Sequence, residues 1–178
     1  MQDIPDTPDA VIDTAIANEI EGHKILLRGK ETANEPLTRA TFEFLANEEL
    51  KHIRIIKEYS ESIAGVRAWD PSSLEETTLS DAGSSIHGIF ERFAAQFEAA
   101  GTAEDERLEV YRVAMDMERR GYDFYSRAAD KASEERARTL YRFLAGEEQR
   151  HFRIIQDTHD FLEQPDALLA MEERWMQT

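Results

Sequence analysis

The sequence predicts an all-α protein: a four-helix bundle made of two pseudosymmetric helical hairpins with a crossover helix between them. Three observations carry this. Apolar residues recur at three- and four-residue steps over long stretches. Glycine (8) and proline (5) are sparse among 178 residues. The second half of the chain also repeats the first at a fixed spacing.

The first helix, residues 8–33, opens at Thr7-Pro8, a capping residue followed by proline at the first helical position. Ile12, Ile16, Glu19, His23 and Leu26 share its inner face. Asn34-Glu35-Pro36 reads as a break and restart. The second helix, residues 35–63, carries Leu45, Glu49, His52, Ile56 and Tyr59 along one stripe. Residues 65–83 contain Trp69-Asp70-Pro71-Ser72-Ser73 and read as an irregular connection. Ile86, Ile89, Phe90, Phe93 and Phe97 then mark the crossover helix, residues 85–100. Thr102 with Asp105 resembles a capping box and opens a long helix over 103–132, with Leu108, Tyr111, Met115, Glu118, Tyr122 and Tyr125. Ser133 reads as the cap of the last long helix, 134–163, which carries Leu144, Glu148, His151, Ile155 and Leu162. A short amphipathic tail follows Pro165. The expectation is one domain over residues 1–178.

The repeat is the most specific signal. Phe44 to Ile56 aligns without gaps on Phe143 to Ile155, with nine of thirteen positions identical at an offset of 99 residues. The same offset carries Glu19-x-x-Gly22 onto Glu118-x-x-Gly121. Each half is therefore a helix with one stripe glutamate, followed by a helix with Glu-x-x-His.

Residues three apart share a helix face, so Glu49 with His52, and Glu148 with His151, point inward together. Isolated carboxylates on an apolar stripe are costly unless paired, protonated or bound to metal. These stripes hold no lysine or arginine, whereas two divalent cations would neutralise four carboxylates. One Glu from each of two helices plus a Glu-x-x-His from each of the other two is a recognised di-iron or di-manganese arrangement. The candidate metal ligands are thus Glu19, Glu49, His52, Glu118, Glu148 and His151, and ligand type alone does not choose iron over manganese. Glu48 and Glu147 lie about 100° off that face and read as supporting or solvated residues. Glu21 reads as surface. His23, whose repeat counterpart is Tyr122, reads as a packing or supporting residue, with an extra ligand as the alternative. His87 and His159 read as surface residues.

Charge and composition exclude other classes. Lys and Arg total 21 against 37 Asp and Glu, a formal charge of −16, which disfavours nucleic acid and anionic lipid. The absence of cysteine removes disulfides, thiol catalysis and Cys-ligated iron from this sequence. No apolar run is long enough for a membrane span, and residues 1–8 lack a signal-peptide pattern, so the expectation is a cytoplasmic protein.

These motifs, Phe44-Leu45-Ala46-x-Glu48-Glu49-x-x-His52 and its copy at 143–151 with Glu118-x-x-Gly121-Tyr122-x-x-Tyr125, resemble the di-iron domain of rubrerythrins, within the ferritin-like superfamily. The resemblance spans residues 10–163. It implies two irons per chain bridged by Glu49 and Glu148, with Glu19 and His52 completing one end and Glu118 and His151 the other. Tyr125 matches a tyrosine that orients a ligand carboxylate, which adds it to Glu49 and Glu148 as a catalytic candidate. The implied activity is reduction of hydrogen peroxide. A ferroxidase or iron-storage role and a manganese catalase-like reaction are the alternatives, and a metal-free partner-binding bundle is the last. Typical members have a second glutamate where this chain has Gly121, and it exchanges with a histidine during turnover, so slower cycling is expected here. Typical members also carry a Cys-rich rubredoxin domain. Its absence from this sequence implies an external electron donor such as a rubredoxin. The phenylalanine face of residues 85–100 and the tail around Leu168, Leu169 and Trp175 suggest a homodimer.

Overall fold

A computed structural model describes residues 3–72, 74 and 104–163, and the crossover and tail segments lie outside them, with the homodimer surface they would form. The described residues form four helices: α1 (Pro8–Thr32), α2 (Pro36–Ile63), α3 (Glu104–Lys131) and α4 (Glu135–Glu163). α1 packs chiefly on α2 and α3 on α4, so the two repeats are two hairpins, and these close face to face as a ferritin-like four-helix bundle. No helix among the described residues is long and apolar enough to cross a membrane.

Local chemistry sets the helix ends. Thr7 accepts a bond from the Ala10 amide at 3.4 Å, and Pro8 occupies the first turn, where its missing N–H costs nothing. α2 also starts on a proline, and Arg39 donates to the Ala33 and Asn34 carbonyls, each at 3.2 Å, which secures the tight α1–α2 turn. α2 ends on Gly65 at φ 74°, a left-handed position that glycine adopts without strain. The Val66 amide then reaches the Glu61 carbonyl at 2.9 Å and the Gly65 amide reaches Ser62 at 3.1 Å, closing the helix end. At α4 the capping position belongs to Glu134 rather than Ser133, because the Glu134 carbonyl accepts the Arg138 amide at 3.1 Å. The Glu134 carboxylate meanwhile holds Tyr59 at 3.2 Å and Arg136 at 2.8 Å.

The core divides into two apolar clusters along the bundle. One contains Ile12, Ala15, Ile55, Ile56, Phe124, Tyr125, Leu140 and Leu144. The other contains Leu26, Leu37, Phe42, Leu45, Tyr111, Ala114, Ile154 and Ile155. On every helix the metal-site candidates fall between a residue of one cluster and a residue of the other: Glu19 between Ala15 and Leu26, Glu118 between Ala114 and Phe124. The fold thus seals a polar layer at mid-bundle from both ends. Buried polar bonds across the hairpins add register, with Thr38 and Tyr111 hydroxyls 2.7 Å apart.

Close helix contact makes a further demand at Gly29. A Cβ there would lie 2.5 Å from two ring carbons of Phe42, which is fully buried. Gly29→Ala gains roughly 1 kcal/mol of helix propensity, yet overpacking costs about 1–3 kcal/mol. A clash this short belongs at the upper end of that range, so the variant should be less stable by roughly 1–2 kcal/mol. Urea unfolding of the two proteins checks this, and equal or greater stability of the variant contradicts the packing.

Candidate metal centre

Four helices deliver six side chains to one place: Glu19 from α1, Glu49 and His52 from α2, Glu118 from α3, Glu148 and His151 from α4. None is more than 4% exposed. His52 Nδ1 lies 3.0 Å from Glu19 Oε2, 3.5 Å from Glu49 Oε2 and 3.6 Å from Glu148 Oε1. His151 Nδ1 lies 3.3 Å from Glu49 Oε1 and 3.7 Å from Glu118 Oε2. The two imidazoles stack with centroids 5.1 Å apart. Glu49, His52, Glu148 and His151 each offer one donor atom within 4.8 Å of the others. Glu19 and Glu118 flank this group at opposite ends.

The donor set fits a pair of divalent ions. Among the described residues these four carboxylates form ion pairs with histidines and with no lysine or arginine. Glu49 Oε1, Glu148 Oε1, both Glu118 oxygens, His52 Nε2 and both His151 nitrogens are buried without a hydrogen-bond partner. Buried polar atoms are seldom left so, and seven of them converging on one layer is the pattern a metal ligand set leaves.

Protons alone meet the charge only in part. Burial, reinforced by the Glu49 charge, pushes the Glu19 carboxyl up to about 8. Burial with Glu49 raises Glu118, and burial with Glu19 raises Glu148. Glu49 goes the other way: burial opposes ionisation, but the close approach of Glu19, His151 and His52 holds it well below the usual carboxylate range. His52 is held well above the ordinary histidine value because Glu19 and Glu49 outweigh its burial.

The surrounding residues sort clearly. The Tyr125 hydroxyl donates to Glu19 Oε1 in a short bond, reaching across the bundle rather than to Glu118 on its own helix. Burial, with Glu19 next, pushes the phenol far above its ordinary value, so the hydroxyl keeps the proton it donates. The Tyr125 ring stacks on Tyr141. His23 stands outside the cluster: its Nδ1 bonds the Ala46 carbonyl at 2.8 Å and pins α1 to α2. Glu48 and Glu147 are buried, not solvated, and each has its own cation three residues on. Lys51 holds Glu48 at 2.7 Å, Arg150 holds Glu147, and Arg150 also reaches within 3.9 Å of Glu48. His159 is half-buried, with its ring edge-on to Tyr111, rather than free on the surface.

Gly121 has a steric role that its sequence position alone concealed. A Cβ there would lie 2.5 Å from Glu148 Oε2 and 2.9 Å from its Cδ. The Glu148 carboxylate occupies the space, so a glutamate at 121 could enter only by displacing it.

The family model described as Rubrerythrin matches residues 10–158, a span that holds all six cluster residues and Tyr125. No curated protein and no solved structure matches significantly.

The pH dependence of the metal-free protein follows from these shifts. Carboxyls raised on folding contribute stability that is complete below their unfolded value and lost as pH rises through the folded one. For Glu19 that window runs from 4.5 to about 8, and Glu118, Glu148 and His52 act in the same direction, with only Glu49 opposed. Metal-free protein should therefore melt at a higher temperature at pH 6 than at pH 8, and loading with ferrous iron should raise the pH 8 value most. Calorimetry at both pH values, with and without chelator, checks this. A metal-free protein at least as stable at pH 8 as at pH 6 contradicts it.

Proposed function

The chain belongs to the rubrerythrin family, and we propose that it holds two iron ions among Glu19, Glu49, His52, Glu118, Glu148 and His151 and reduces hydrogen peroxide to water with electrons from an external donor. The observation that carries this reading is the buried layer of four carboxylates and two imidazoles with no lysine or arginine among the described residues to neutralise it. When bound, two ferrous ions supply the two electrons that, with two protons, turn one hydrogen peroxide into two water molecules.

The protein's own residues divide the remaining work. Glu49 touches both histidines, one with each carboxylate oxygen, and so serves both metal positions. Glu148 faces it from α4, beside His52. Glu19 with His52 closes one end and Glu118 with His151 the other. Tyr125 fixes Glu19 by donating to the oxygen that does not face His52. The two apolar clusters close the layer to water along the bundle axis, which strengthens the charge interactions inside it. Electrons must return to the centre for repeated turnover. The sequence contains no cysteine, so a donor with Cys-ligated iron lies outside it, and a rubredoxin fits that role.

Three measurements test this reading. Glu49→Ala and Glu148→Ala should each bind fewer than two irons per chain, and two irons retained in both variants would refute the ligand assignment. Tyr125→Phe should weaken metal binding about 10–100-fold, as loss of a bond that orients a ligand does elsewhere, and an unchanged affinity removes Tyr125 from the site. The di-ferrous protein should be oxidised faster by hydrogen peroxide than by oxygen, stall after one turnover, and cycle when rubredoxin and its reductase are added. Faster reaction with oxygen and no gain from any donor would move the assignment to ferroxidase.

A further inference from the structure

The metal layer is closed along the bundle axis by the two apolar clusters, and on the α2–α4 side the buried carboxylates of Glu48 and Glu147, paired with half-buried Lys51 and Arg150, occupy the interface. On the α1–α3 side lies a cavity of about 120 Å³. It runs from Glu21 and Arg120, both exposed, down to the carboxylates of Glu19, Glu49 and Glu148. Its lining follows the internal repeat. Asn18 and Met117, Glu21 and Arg120, Gly22 and Gly121, Glu49 and Glu148 are four pairs related by the 99-residue offset. The cavity therefore lies close to the pseudo-twofold axis of the bundle, and a solute in it faces the equivalent carboxylates of Glu49 and Glu148, with Glu19 and Ile25 added from the first half alone.

We propose that this cleft is the entry route for small neutral two-centre ligands, hydrogen peroxide or a diatomic gas, and that Gly22 and Met117 set its width. The peroxide part rests on the function proposed above; the route itself does not. A Cβ on Gly22 would stand 3.3 Å from Met117 Sδ and 3.6 Å from Glu49 Cδ, so backbone and thioether face each other directly beside a carboxylate of the centre. Any branched side chain at 22 fills that gap. Met117 is unbranched with several rotatable bonds, which suits a wall that yields to a small solute and resists a bulky one. Gly121, the symmetric mate, does not share this role, because a side chain there collides with Glu148 itself. The opposite charges of Glu21 and Arg120 at the mouth give no preference for an ion, and the carboxylates below repel anions. Neutral solutes are favoured over anions.

The test uses full-length, iron-loaded wild type, Gly22→Val and Met117→Ala, with iron content measured for each. Stopped-flow absorbance follows nitric oxide binding to the ferrous protein, then oxidation by hydrogen peroxide and by the bulkier cumene hydroperoxide. Gly22→Val should slow nitric oxide and hydrogen peroxide by about tenfold, because entry then requires the helices to move apart. Met117→Ala should raise the rate with cumene hydroperoxide relative to hydrogen peroxide. Equal nitric oxide rates in all three proteins at equal iron content overturn the proposal. A wild type inert to both hydroperoxides, yet with nitric oxide binding slowed in Gly22→Val, keeps the route and removes the peroxidase reading. If Gly22→Val fails to load iron, Gly22→Ala, whose methyl meets only the flexible thioether closely, takes its place. Unchanged nitric oxide binding in that variant, together with an unchanged hydroperoxide ratio in Met117→Ala, overturns the proposal equally.

Discussion

Four carboxylates buried in one layer, with no lysine or arginine against them among the described residues, set the terms for this bundle. Taking a single carboxylate out of water costs several kcal/mol even after relaxation, and like charges in the same layer add to it. The same helices show the ordinary remedy one residue away. Glu48 and Glu147 are as buried as Glu49 and Glu148, but each has a cation of its own, Lys51 or Arg150, on the next turn. Among the described residues the central glutamates face two histidines and no other cation, and seven donor atoms of the layer have no hydrogen-bond partner. Divalent ions satisfy charge and donor geometry together.

The rest of the architecture follows from protecting that layer while leaving it reachable. Apolar clusters close the layer along the bundle axis, the hairpin repeat supplies matched carboxylates and imidazoles from both halves, and tyrosine and histidine bonds fix individual helices against each other. Glycines appear where a side chain would intrude. Gly121 makes room for Glu148, and Gly22 leaves the gap above Glu49. The space that a glutamate at 121 would need is thus already filled by the Glu148 carboxylate, so the glycine there is a matter of packing as well as of charge.

Much of this was legible in the sequence because the repeat is in register: once Glu49 and His52 share a face, the offset places Glu148 and His151 without further assumption. Fold family and cluster residues came from that pattern and from the i, i+3 geometry of helices. What escaped depended on contacts between helices, which periodicity does not encode. The angle of Glu48 and Glu147 on the helix did not reveal that α2 and α4 bury them against Arg150. His23 sits on the same stripe as Glu19, and only the position of the Ala46 carbonyl assigns it a packing role. Ser133 is the better capping residue by type, but the turn brings Glu134 to the cap, where its carboxylate also binds Tyr59. The cleft is made of residues that look like unremarkable helix positions, and only their mutual approach defines it.

If two metal ions neutralise the buried layer, anomalous diffraction at the iron edge, from crystals of protein loaded anaerobically with ferrous iron, will locate them. Two peaks about 4 Å apart are expected, both between Glu49 and Glu148, one beside Glu19 and His52 and the other beside Glu118 and His151. A single peak, or iron bound only at surface carboxylates while the six buried residues keep their metal-free contacts, would contradict neutralisation by two ions.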